Sequence, residues 1–124
     1  MELIEYQKRA MTTCMDSSRN FSYMVLNLVG EVGELASKVA KSIRKGHRSI
    51  EESRLIAHIN KDFDIGDAMI EEQEMKKEIG DTLWQVAGLC SVMGWSLEDI
   101  AKMNLDKLAS RQKRDVIDGN GDNR

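Results

Sequence analysis

The stretch LVGEVGEL, Leu28 to Leu35, decides the fold: apolar side chains fall at 28, 29, 32 and 35, and acids fall at 31 and 34. Steps of three and four residues match the 3.6-residue period of an α-helix and break the strict alternation of a half-buried strand. Outward in both directions, Phe21, Val25, Ala36, Val39, Ala40 and Ile43 continue the same stripe, which predicts a helix over residues 19 to 45. The helix should stop at Arg44-Lys45-Gly46. The two basic residues suit the negative end of the helix dipole, and Gly46 can take the left-handed position just past the end.

The same periodicity predicts three more helices. Leu3, Ile4, Tyr6, Ala10, Met11, Cys14 and Met15 mark one over residues 2 to 16, closed by the polar Asp16-Ser17-Ser18. Met75, Ile79, Leu83, Val86, Cys90 and Met93 mark another over residues 67 to 93, ended by Gly94. Ser96 then caps a fourth, with stripe residues Leu97, Ile100, Ala101, Leu105 and Leu108. Its first turn holds Glu98 and Asp99, which favour the positive dipole end. Residues 46 to 66 mix charge with a few apolar side chains, and a short helix within an insertion loop is expected there. The tail, residues 115 to 124, has two glycines and little to bury, so it is expected to be flexible and to order only against a ligand or partner. The resulting architecture is all-α, four-helix-bundle-like, with one domain over residues 1 to 124.

Composition supports this reading. Proline is absent and aromatics make up 5% of the 124 residues, a balance that favours helices over sheet. A helical domain this small often completes its core by oligomerising, so a homodimer or homotetramer is expected. The net charge of -3 argues against polymeric nucleic acid or an anionic membrane as partner. No apolar run approaches the roughly 20 residues that span a bilayer, and the N-terminus has no signal-like apolar core, so a cytoplasmic protein is expected. Cys14 and Cys90, far apart and each within an apolar stripe, read as buried thiols in a reducing compartment.

Two carboxylate pairs point to chemistry. Glu31-x-x-Glu34 and Glu78-x-x-Asp81 each set two acids one turn apart on one helix face, a spacing that can grip a hard cation through oxygen. At about 100° per residue, Glu31 lies about 100° and Glu34 about 160° from the centre of their apolar stripe. Glu78 and Asp81 have matching offsets of about 100° and 160° on their own helix. If the two helices pack antiparallel through their stripes, both pairs arrive on one side. Four acids so placed would repel one another without a divalent metal to neutralise them. Gly30, Gly33 and Gly80 sit beside these acids inside otherwise good helices, where each costs about 1 kcal/mol relative to Ala. Close approach of a ligand or another helix would account for them.

The strings LVGEVGEL, KKEIGDTLW (Lys76 to Trp84) and NLDKLASR (Asn104 to Arg111) resemble the MazG-like all-α nucleotide pyrophosphohydrolases, near the dCTP-pyrophosphatase-like branch. The three blocks cover about a fifth of the chain and follow the family's order. The resemblance implies Mg²⁺, with Mn²⁺ as a substitute, held by Glu31, Glu34, Glu78 and Asp81. It also implies hydrolysis of nucleoside triphosphates, deoxynucleotides foremost, to the monophosphate and pyrophosphate. Glu31 and Glu34 would be the catalytic carboxylates that handle the attacking water. Two departures stand out: Gly30 replaces the first acid of the broader EExxE pattern, and the interval from Glu34 to Glu78 is longer than in compact members.

The fourth helix carries a second argument. Asn104, Lys107 and Arg111 share a face about 40° to 100° from the apolar stripe, where polar groups normally need a partner. A triphosphate suits them: Lys offers a mobile charge, Arg a planar fork and Asn a neutral donor. Lys38 is a further candidate for phosphate and Trp84, beside Asp81, for stacking a base. His47 and His58 have no metal-ligand spacing, and no pattern supports a Cys or Ser nucleophile. The alternative within the same fold is a non-catalytic sensor that binds a nucleotide or metal without turning it over.

Overall fold

Helix ends fall where local chemistry can satisfy the free backbone groups. The computed structural model describes residues 1–122, with helices α1 (Leu3–Met11), α2 (Phe21–Arg44), α3 (Ile65–Val92) and α4 (Leu97–Lys113). Asn20 caps α2 by accepting from the Tyr23 amide, and Ser96 caps α4 through the Asp99 amide. Asp64 and Asp67 form a reciprocal capping box at the start of α3. Gly46 and Gly94 follow α2 and α3 at φ 75° and 71°. There the His47 amide reaches Ser42 O and the Trp95 amide reaches Cys90 O, closing each helix with a Schellman turn.

Two expectations need correction. The first helix ends at Met11, short of residue 16, and the chain continues through a brief 3₁₀ turn at Asp16–Ser18. Thr12 and Thr13 turn their hydroxyls back onto the carbonyls of Arg9 and Ala10, and the Arg19 guanidinium donates to Met11 O and Cys14 O. Those side chains take up the carbonyls that further helix would have used. The second correction concerns residues 46 to 66, which hold no short helix. They form an antiparallel hairpin of β1 (Arg48–Glu51) and β2 (Arg54–Ala57), paired from Arg48 opposite Ala57 to Glu51 opposite Arg54. Its two-residue turn, Glu52 at φ 50° and Ser53 at φ 64°, has the left-handed geometry usually given to Asn-Gly. The fold remains all-α in its architecture, with this small sheet added.

The hairpin is tied down by one carboxylate. Glu71 on α3 accepts from Ser42 Oγ at 2.7 Å and from Arg48 at 2.8 Å, and its other oxygen meets His47 Nδ1. His47 in turn stacks on the buried Phe63 ring, 4.1 Å between centroids. Burial alone would raise the Glu71 pKa. Hydrogen bonds from Ser42 and His47, then the charges of His47 and Arg48, outweigh it and hold the carboxyl below its ordinary value.

Helices α2 and α3 run antiparallel, as successive pairs show: Asn27 with Gln85, Lys38 with Glu78 and Glu74, Ser42 with Glu71. Helix α1 lies along α3, and the Gln7 amide joins Ser91, Trp95 O and the Leu97 amide, fixing the corner between α3 and α4. Met11, Cys14, Met24, Ala87, Cys90 and Leu97 make the buried core, and both cysteines are free thiols. Met24 reaches Gly88 so closely that a β-carbon there would collide with its Sδ and lie 2.6 Å from its Cε. Several stripe residues stay outside: Val29 is 69% exposed and Leu105 66%, and Leu26 is 73% exposed. Among the described residues no helix is long and apolar enough to cross a membrane.

Candidate metal centre

Because α2 and α3 are antiparallel, Glu31 faces the turn of α3 that carries Glu78 and Asp81. Glu31, Glu78 and Asp81 each present a carboxylate oxygen within 4.8 Å of the other two. Glu78 is 9% exposed, Glu31 half-buried and Asp81 open to solvent. Burial, then the charges of Asp81 and Glu78, push the Glu31 pKa up, and a hydrogen bond from Asn27 opposes them. Glu34, the fourth expected ligand, lies outside this group. It is exposed and adds only the weakest of the charges acting on Glu31. The donor set is all carboxylate oxygen, with repulsion that a divalent cation would relieve, and so it fits a hard ion such as Mg²⁺.

A shell of polar groups surrounds the acids. Lys38 Nζ lies 2.9 Å from Glu78 and 3.1 Å from Glu74, and those hydrogen bonds raise its pKa. On the other side, Asn27 Nδ2 donates to Gln85 Oε1 at 2.6 Å and to Glu31 at 3.3 Å. Gln85 is 1% exposed, and its own amide N–H points at the Met24 sulfur. Tyr6 also faces the cluster: burial, then the charge of Asp81, raise its hydroxyl pKa. The glycines leave room here. A β-carbon at Gly33 or Gly80 would meet nothing within 4 Å, and one at Gly30 only Asn27 Oδ1 at 3.5 Å, so packing within the chain does not require them.

The profile of the MazG nucleotide pyrophosphohydrolase domain matches residues 19–116, which take in all three acids and the polar shell except Tyr6. The chain belongs to the MazG family. A curated relative, the Gene 37 protein of Mycobacterium phage L5, is 37% identical over 109 residues, covering 88% of this chain and 81% of that protein. No solved structure matches. MazG membership carries nucleotide pyrophosphohydrolase activity in general, with a nucleotide as substrate, and the carboxylate cluster provides for a divalent metal.

The remaining candidates of this MazG chain lie elsewhere. Lys107 and Arg111 both converge on the Asp122 carboxylate, at 3.1 and 3.0 Å, so part of the tail folds back onto α4. Asn123 and Arg124, the end of the expected flexible tail, lie outside the described residues. Arg111 is 4% exposed, and its Nε has no hydrogen-bond partner among the described residues. Asn104 lines a shallow groove with Ile100, Met103 and Lys107. Trp84 packs against the core, its indole N–H donating to Thr13 Oγ1 and Ala10 O of the α1 end. Sequence reasoning missed Asn27, Gln85 and Tyr6. The first two were legible in principle, since Asn27 precedes Glu31 by one turn and Gln85 follows Asp81 by one turn.

Proposed function

We propose that this protein hydrolyses nucleoside triphosphates, deoxynucleoside triphosphates foremost, to the monophosphate and pyrophosphate with Mg²⁺ as cofactor. The observation that carries the reading is the convergence of Glu31, Glu78 and Asp81 from facing turns of α2 and α3. These three, with Glu34 at the rim, would hold Mg²⁺, and Mn²⁺ would substitute. The bound ion supplies charge neutralisation on the phosphate oxygens and the departing pyrophosphate. Glu31 and Glu34 are the catalytic carboxylates. Glu31 has an elevated pKa and one oxygen held by Asn27, which suits it to orient water and take its proton as the water attacks the α-phosphorus. Lys38 contacts phosphate beside the acids.

Asn104, Lys107 and Arg111 serve nucleotide binding in this reading. The grip of Lys107 and Arg111 on Asp122 supports it, because a carboxylate, like a phosphate, offers anionic oxygens to charged N–H donors. Exposed Leu26, Val29 and Leu105 support assembly as a homodimer or homotetramer, which would bring α4 of one copy toward the acids of another. The test is incubation with each common deoxynucleoside and ribonucleoside triphosphate and Mg²⁺, reading monophosphate and pyrophosphate. Wild type should release both and Glu78→Gln should not. Tight binding without release would favour the sensor instead, and equal release by the two proteins would end the proposal.

A further inference from the structure

Past the end of α4 the chain turns back over the helix. Asp115 takes the left-handed position just beyond it at φ 57°, a place usually given to glycine, and the Val116 amide closes the turn on Arg111 O. Gly121, at φ 76°, then sets Asp122 against the helix. One oxygen of Asp122, Oδ1, accepts from both Lys107 Nζ at 3.1 Å and Arg111 Nη2 at 3.0 Å, and the Gly121 carbonyl accepts from the same Nη2 at 3.3 Å.

This pairing is unequal and incomplete. The Arg111 side chain is 5% exposed and that of Asp122 83%, so a nearly buried cation is matched by an anion that stands in solvent. Arg111 Nε lies on the same edge of the guanidinium as Nη2, is closed off from water, and has no hydrogen-bond partner among the described residues. A buried N–H left over in this way is rare. An oxyanion docked side-on would take both donors of that edge and offer Lys107 a further oxygen, whereas one carboxylate oxygen leaves Nε unused. A phosphate group has oxygens enough for all three. The strap that brings Asp122 here is also easily lifted, because residues 117 to 122 are all exposed and ion pairs in solvent are weak. We infer that the tail is autoinhibitory: Asp122 is an internal plug that a phosphate group must displace to reach Lys107 and Arg111. This rests on the hydrolase reading for the identity of the displacing anion, the phosphates of the substrate. The fraction of molecules with the tail closed lowers the apparent affinity for that ligand.

Calorimetry with inorganic tripolyphosphate tests it, on the full chain as wild type, Asp122→Asn and Asp118→Asn. Asp118 is an exposed acid of the same tail, so its variant reports the effect of net charge alone. Asp122→Asn should bind the probe about twofold to tenfold more tightly than wild type, the range for releasing two solvent-exposed ion pairs, and Asp118→Asn should match wild type. With a deoxynucleoside triphosphate and Mg²⁺, Asp122→Asn should lower KM by the same factor and leave kcat steady. Trypsin cleavage after Arg114 reads the strap itself: saturating tripolyphosphate should speed it in wild type and leave it unchanged in Asp122→Asn. A clamp that only orders the tail predicts unchanged or weaker affinity in Asp122→Asn and cleavage indifferent to the probe, and either result overturns the inference. So does equal tightening in Asp118→Asn, or wild type that fails to bind tripolyphosphate. The two readings fail separately. Tighter binding and probe-driven cleavage without triphosphate hydrolysis would refute only the hydrolase, and hydrolysis with a KM indifferent to Asp122→Asn would refute only the plug.

Discussion

Replacing a helical glycine by alanine should stabilise this protein at Gly80 and destabilise it at Gly88, although both lie inside α3. The helix gains about 1 kcal/mol from alanine at either position, through the backbone freedom the unfolded chain no longer has. At Gly80 the new methyl meets nothing within 4 Å, so the gain stands. At Gly88 it runs into the Sδ and Cε of Met24, which is fully buried and has no exit to solvent. Overpacking of this kind costs about 1–3 kcal/mol, giving a net loss of about 1 kcal/mol. For a domain of this size that corresponds to about 4 °C in Tm, upward for Gly80→Ala and downward for Gly88→Ala. Thermal unfolding followed by circular dichroism, without metal and at one protein concentration, reads the difference directly. Met24→Ala should also cost less in the Gly88→Ala background than alone, because the collision has gone. Equal stability of the two alanine variants would refute the packing argument.

Three further outcomes follow from the geometry. Mg²⁺ at about a hundred times its Kd should add about 2.7 kcal/mol to wild type, and the Tm rise should vanish in Asp81→Asn; a rise that survives would place the ion elsewhere. Glu71→Gln leaves the nearly buried Arg48 without its acid and should cost about 2–3 kcal/mol at pH 7. The Glu71 pKa is depressed, so its contribution is complete above the ordinary carboxylate value of about 4.3 and disappears as pH falls through the lower folded value. Urea unfolding from pH 7 to 3 should therefore show a shallower acid-side decline in Glu71→Gln, and parallel curves would contradict the assignment. Trp84→Phe gives up the indole bonds to Ala10 and Thr13 and should cost about 1–2 kcal/mol. KM should stay unchanged, whereas a raised KM with steady Tm would move the ring into the nucleotide site.

How far the sequence could be read varied with the range of the interactions that build each part. The four helices were visible because their signals are local: apolar steps of three and four, Asn20, Ser96, Gly46 and Gly94 at the ends. The hairpin was hidden because its turn uses Glu52 and Ser53 where Asn-Gly would have announced it. The early end of α1 was hidden as well, since Arg19, Thr12 and Thr13 stop that helix with side-chain bonds that no periodicity records. At the carboxylate cluster, angular offsets on two separate helices foresaw Glu31, Glu78 and Asp81 as neighbours. Glu34, at the larger offset of about 160°, lies outside that group, which the wheel could not foretell because it contains no distance to the opposite helix. Gln85 escaped notice for a related reason: buried and polar, it resembles neither core nor surface until its partner Asn27 is known.

The polar row between α2 and α3 has a consequence for how these helices are aligned. An interface of leucines can slip by one turn and still pack, because one apolar contact resembles the next. Here a slip would part Asn27 from Gln85, Lys38 from Glu78 and Ser42 from Glu71 at once, leaving several buried donors and acids without partners. The row therefore works as a vernier. It admits one alignment of the helices, the one in which the carboxylates meet.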